Sequence, residues 1–128
     1  MSSARARTHG FRFPKSRRLV CSAEFQSVIT HGRRSKDTLF IVYAYDNGEQ
    51  LGRLGVTVSR RVAARAVERN RIKRAIKESF RHQQTILVGL DVVTVARGAT
   101  QGIETNQLFV SLGEHWRRVN QQCRSASQ

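Results

Sequence analysis

From Glu68 to Arg81 the chain reads E-R-N-R-I-K-R-A-I-K-E-S-F-R, and few architectures accommodate such a segment. At about 100° per residue, Ile72, Ile76 and Phe80 line one side of a helix, with Ala75 and Ser79 beside them. Asn70, Arg71, Lys73, Arg74, Lys77 and Arg81 fill the remaining arc, and Arg69 falls near the edge of the stripe. One side of this helix must pack on a core while the other faces solvent or a charged partner. Strand-like segments flank it. Arg53 to Ser59 alternates Leu54, Val56 and Val58 against Gly55 and Thr57, and Asp91 to Ala96 reads D-V-V-T-V-A. A helix over roughly Ala64–His82 thus becomes the crossover of a strand–helix–strand unit, whose usual hand is right.

The remaining segments complete one domain. Ser22 is suited to cap a short helix through about Thr30, apolar at Phe25, Val28 and Ile29 and ended by His31-Gly32. Thr38 to Tyr45, T-L-F-I-V-Y-A-Y, reads as a strand, and Asp46-Asn47-Gly48 as a turn that pairs it with the Arg53–Ser59 strand. Leu108, Phe109, Leu112, Trp116 and Val119 recur at helical spacing after Thr105. Gly113 inside that helix costs about 1 kcal/mol relative to alanine. The expected fold is therefore α+β, a single mixed sheet covered by helices in the order α-β-β-α-β-α. Residues 1–17 read as a flexible basic arm, 18–120 as one domain and 121–128 as a polar, frayed tail.

Charge narrows the partners. The 128 residues carry a formal net charge of +14 and a pI near 11.6, which attracts polyanions and makes binding fall steeply with salt. From Arg60 to Arg81 there are nine Lys or Arg against two Glu. Lys73–Lys77 and Lys77–Arg81 are like-signed neighbours, and only Arg74–Glu78 is a favourable four-residue pair. An ordinary solvated helix face mixes its signs, so this one is read as facing RNA. Neither DNA nor a membrane is expected as partner, since the apolar run beginning at Leu39 is far shorter than the roughly 20 residues that span a bilayer. Cys21 and Cys123 lack zinc or redox spacing, which points to a reducing cytoplasm. The basic, Ser-containing first 20 residues resemble a transit peptide in composition, but a basic arm that orders on RNA is the plainer reading.

Catalytic patterns are sparse. His9, His31, His82 and His115 are scattered, no acids stand at metal-clamp spacing, and Ser59 lies in V-S-R-R rather than a nucleophile elbow. No cofactor or metal ligand set and no catalytic residue is expected. Ile41, Tyr43 and Tyr45 share one face of their strand, either as core or as a platform on which unpaired bases stack.

Two runs carry a family resemblance. R-L-G-V-T-V-S-R-R at 53–61, then A-V-E-R-N-R-I-K-R at 66–74, resembles the protein subunit of bacterial ribonuclease P. Arg18-Leu19, Glu24-Phe25, His31-Gly32, Asp91-Val92-Val93 and Leu112-x-x-x-Trp116-Arg117-Arg118 extend the match over roughly residues 17–119. Many members carry glycine after the basic pair, where Val62–Val67 here is one residue longer, as in the proteobacterial branch. Ile29 stands where an aromatic is frequent.

The resemblance implies a left-handed βαβ crossover, against the default hand. It also implies that a large RNA subunit, with bound Mg²⁺, hydrolyses precursor tRNA to release the 5′ leader, while the protein supports that RNA and contacts the leader in a cleft. Arg69, Asn70, Arg71, Lys73, Arg74 and Lys77 match the motif that packs against the catalytic RNA, and Arg60, Arg61 and Arg65 extend that surface. Asn70 either touches RNA or braces the loop before the helix. Phe25, Ile41, Tyr43 and Thr57 match positions lining the cleft, with plain core as the alternative for Phe25. The alternatives are a structural, ribosomal-type RNA-binding protein and a free-standing ribonuclease.

Overall fold

A computed structural model describes residues 22–48 and 52–126; the expected basic arm at 1–17, Arg18-Leu19 and Cys21 lie outside them. Helix α1 (Ser22–His31) leads into strand β1 (Arg33–Lys36), then β2 (Phe40–Asp46) and β3 (Arg53–Thr57). Helix α2 (Ala66–His82), strand β4 (Leu90–Ala96), a short 3₁₀ turn at Gly98–Thr100 and helix α3 (Thr105–Ala126) follow. The four strands lie in the order β1-β2-β4-β3, antiparallel at the first two junctions and parallel at the third.

The mixed sheet and its helices are as expected, but three details differ. The order contains one strand more than α-β-β-α-β-α. That strand, β1, is R-R-S-K, which has no apolar alternation; it exists because Arg33 to Lys36 pair in register with Ala44 to Ile41. Strands β2 and β3 do not pair with each other either, because β4 lies between them. A parallel neighbour of β3 needs a long crossover, and α2 supplies one. Lastly, α3 continues to Ala126 rather than fraying after Val119, and it carries Cys123 into the core at 5% exposure.

Strand alternation sorts the core into two faces. Phe40, Val42, Ala44, Leu54, Val92 and Ala96 meet Ile72, Ala75, Ile76 and Phe80 of α2 and Leu108, Leu112, Trp116 and Val119 of α3. Each Val, Leu, Ile or Phe among them contributes about 1.5–3 kcal/mol by leaving water. Phe80 meets the Trp116 ring edge-on at 5.8 Å. The buried indole Nε1–H donates to Ser79 Oγ at 2.8 Å, so the polar members of the stripe are satisfied. On the opposite face α1 lays Val28 on Val93, with Phe25, Ile29, Tyr43 and Val95 around them. Among the described residues, α1 is the helix that covers this second face.

One ionic cluster fixes α1 across the end of the sheet. Arg53 donates from Nε and Nη2 to the two Asp91 carboxylate oxygens at 2.9 and 2.7 Å, and from Nη1 to Glu24 at 3.1 Å. Asn47 donates to the same Asp91 at 2.7 Å. Asp91 is buried, so removing Arg53 leaves its carboxylate with Asn47 alone; because Arg53 is 30% exposed, the loss is about 3 kcal/mol, the low end for a buried pair. The arginine of the R-x-G run is therefore scaffold.

Candidate RNA-binding surface

Helix α2 presents its cations as the sequence periodicity requires, because Ile72, Ala75, Ile76, Ser79 and Phe80 take the buried side. Arg65, Asn70 and Arg74 are exposed, as are Arg60 and Arg61 in the loop after β3, while Arg69, Arg71, Lys73 and Lys77 are half-buried. The two acids on the helix are engaged, though not as expected. Glu78 accepts from Arg81 Nη2 at 2.6 Å and lies 3.7 Å from His82, instead of pairing with Arg74. Glu68 accepts from Arg71 twice, at 2.9 and 2.7 Å, and from the Gly102 N–H at 2.9 Å. The Arg71 hydrogen bonds foremost, then that of Gly102, bring the Glu68 pKa down to about 2. Arg71 also reaches Thr105 Oγ1 at 3.2 Å, tying α2 to the start of α3.

The loop before α2 is braced by Arg69, the neighbour of Asn70. Arg69 Nη1 donates to the carbonyls of Ala63 and Ala64 at 3.0 and 2.8 Å and fastens the loop to the first turn of α2. Arg69 and Arg71 are thus partly committed within the protein. Arg60, Arg61, Arg65 and Arg74 are presented outward, with Lys73 and Lys77 alongside.

The four residues matched to the cleft lie together on the α1 face. Strand register places Arg34, Tyr43, Val93 and Gly55 side by side in one row, and Lys36, Ile41, Val95 and Thr57 in the next. Helix α1 crosses the first row. The Phe25 ring lies so close to Gly55 that a Cβ there would come within 2.6 Å of Cζ; the small residue lets the ring lie on the backbone. The second row stays partly open, with Ile41, Val95 and Thr57 half-buried. Ile41, Tyr43 and Thr57 therefore share the sheet face on which α1 lays Phe25. Tyr45 sits at its end, 6.2 Å from the His31 ring.

Folding also gathers a Ser, a His and an Asp that sequence spacing does not connect. Ser35 Oγ–H donates to His115 Nδ1 at 2.7 Å, while Arg118 donates to Ser35 Oγ at 2.7 Å. The Asp37 carboxylate 3.1 Å from Nε2 keeps the His115 proton on Nε2, though poorly aligned with Oδ1, which leaves Nδ1 to accept from the Ser35 hydroxyl. Asp37 also accepts from Ser111 at 2.6 Å and from the Leu39 and Phe40 N–H groups, both at 2.8 Å. His115 is fully buried and Ser35 is 3% exposed, so no substrate reaches this Ser–His–Asp set. A guanidinium on Oγ also opposes nucleophilic attack. The cluster fastens β1 to α3. Among the described residues no group of three His, Cys, Asp or Glu could hold a metal ion, and no helix is long and apolar enough to cross a membrane.

Comparison with known proteins decides the family. The family model described as "Ribonuclease P" matches residues 13–120. The chain belongs to the ribonuclease P protein family. The "Ribonuclease P protein component" of Methylococcus capsulatus is 37% identical over 118 residues, 92% of each chain. That of Thioalkalivibrio sulfidiphilus is 35% identical over 111 residues, 87% of this chain and 92% of its own. The solved ribonuclease P protein of Staphylococcus aureus superposes with a TM-score of 0.75 at 32% identity, over 80% of this chain and 94% of its own. As a ribonuclease P protein, the chain is the protein part of an endoribonuclease whose catalysis is carried by RNA, acting in 5′ maturation of tRNA. A sealed histidine cluster and an outward cationic helix suit that division of labour.

Proposed function

We propose that the two surfaces divide the RNA between them. The outward cations of α2, with Arg60, Arg61 and Arg65, pack against the ribonuclease P RNA, and the groove beside α1 takes the single-stranded 5′ leader of precursor tRNA. Arginine offers paired donors to phosphate oxygens, and contacts of this kind hold RNA without reading sequence. An unpaired leader gives the groove bases to stack and slide over, which suits many precursors. The single observation carrying the reading is the alignment of Ile41, Val95 and Thr57 in a partly open row beside Phe25 and Tyr43. The basic arm at 1–17 is taken to order on RNA, and the cytoplasm is the compartment where these partners meet.

Reconstitution tests the proposal. The protein and a bacterial ribonuclease P RNA at low Mg²⁺ should together cleave precursor tRNA at the mature 5′ end, with neither component sufficient alone. Cleavage by the protein alone would overturn it in favour of a free-standing ribonuclease. Binding of the RNA with no stimulation at any Mg²⁺ concentration would favour a purely structural role.

A further inference from the structure

Strand β1 adds to the groove something its sequence conceals. Arg34 stands across from Tyr43, and Lys36 across from Ile41. Residues directly opposed across a sheet share a face, so both cations stand on the groove side. Ser35, between them, turns the other way to meet His115. Both cations are exposed, and among the described residues no acid pairs with either. The open row from Lys36 through Ile41 and Val95 to Thr57 crosses three inter-strand steps, about 14 Å. At its far end β3 runs on into the exposed Arg60 and Arg61. The apolar floor is therefore bracketed by cations, on the β1 edge and at the exit of β3.

That arrangement fits a single strand of RNA better than a duplex or an acidic peptide. Bases lie against an apolar, aromatic floor, while the backbone on either side meets positive charge. We propose that Arg34 and Lys36 form the outer phosphate clamp of this groove, gripping the precursor's leader where it crosses β1. The proposal rests on the reading of the groove as the leader site. Phosphate contacts carry no sequence information. The clamp therefore measures length: a leader long enough to reach β1 gains affinity whatever its bases, and a shorter one gains nothing.

The test uses the protein reconstituted with ribonuclease P RNA and a series of precursor tRNAs with unstructured leaders of increasing length, beside mature tRNA. R34Q/K36Q keeps polar side chains of similar reach on the edge strand, and Y43A is the groove control. Wild type should gain affinity stepwise as the leader lengthens. R34Q/K36Q should lose the last step, roughly 10-fold, and its log–log salt slope on long leaders should fall by about 1.4, the value for two phosphates of a single strand. Its affinity for mature tRNA should match wild type. Equal loss on mature tRNA, or weaker assembly with the RNA subunit, would overturn the clamp and move these cations to the other interface. An unchanged long-leader affinity, with leader preference lost in Y43A, would overturn the clamp and leave the groove standing. Leader preference intact in both variants would overturn the groove and the clamp together.

Discussion

The Arg71 guanidinium and the Glu68 carboxylate are joined by two hydrogen bonds three residues apart on α2. The middle arginine of R-N-R-I-K-R is therefore engaged inside the protein, through Glu68 to Gly102 and through its own Nη1 to Thr105. Arg74, one turn on, is exposed. The two arginines should separate experimentally. Arg74→Ala should leave the thermal midpoint unchanged and lower the log–log salt slope of RNA binding by about 1. Arg71→Ala should lower the thermal midpoint and change the slope less. Salt titration of RNA binding, with melting curves on both variants, checks this.

Acid should unfold the protein through Asp37 and His115. Burial alone would raise the Asp37 pKa, but hydrogen bonds from Ser111 and the Phe40 N–H, the nearby His115 ring and the Leu39 N–H outweigh it and hold the value at about 2, against 3.8 for a free side chain. A depressed carboxylate contributes stability that is complete above its unfolded pKa and is lost as pH falls through the folded one. Allowing for partial exposure, this amounts to about 1 kcal/mol, lost between roughly pH 4 and pH 2. Burial foremost pushes the His115 pKa down, against the pull of Asp37. The unfolded chain therefore takes up that proton first, and stability begins to fall below roughly pH 6.5. Urea midpoints from pH 7 to pH 2.5 should show both declines, and Asp37→Asn should flatten the lower one.

Gly55→Ala should be costly because its methyl group falls on the Phe25 ring. A loss of about 1–3 kcal/mol is expected from such overpacking. Phe25→Ala removes the obstruction, so the double variant should lose less than the sum of the singles. A urea-denaturation cycle measures the coupling, and strict additivity would show that the ring moves aside freely.

Gly113→Ala should stabilise. The helix runs unbroken through this position, and an added Cβ would meet only Arg117 Nη1 at 3.7 Å. The gain is about 0.4–1 kcal/mol, seen as a rise of a few degrees in the melting midpoint.

What the sequence made legible follows from where its signals are local. The amphipathic period of α2 depends on neighbours three and four apart, so its buried stripe of Ile72, Ile76 and Phe80 was readable. The same held for Leu112, Trp116 and Val119 in α3. Strand β1 was hidden because R-R-S-K is a strand only by virtue of Ala44 to Ile41 across from it. The partner of β3 is hidden for a related reason. A turn at Asp46–Gly48 suggests a hairpin locally, but only the folded sheet reveals β4 inserted there. Within the candidate site, the positions of Phe25, Ile41, Tyr43 and Thr57 came from family resemblance, and register explains why they meet. The charges were countable, but their pairing was not: Glu78 prefers Arg81 to Arg74, and Arg69 serves its own loop.

The insertion of β4 between β2 and β3 has a consequence for synthesis. Neither strand has its central neighbour until Leu90–Ala96 has left the ribosome. At roughly 5–20 residues per second, the first two-thirds of the chain, including the cationic helix, emerges with only the β1–β2 pair for a sheet. A nascent chain so basic, translated beside abundant RNA, is exposed during that interval to the wrong polyanions. The Arg53–Asp91 contact can close only once the last strand has arrived, so the centre of the sheet is completed late in synthesis.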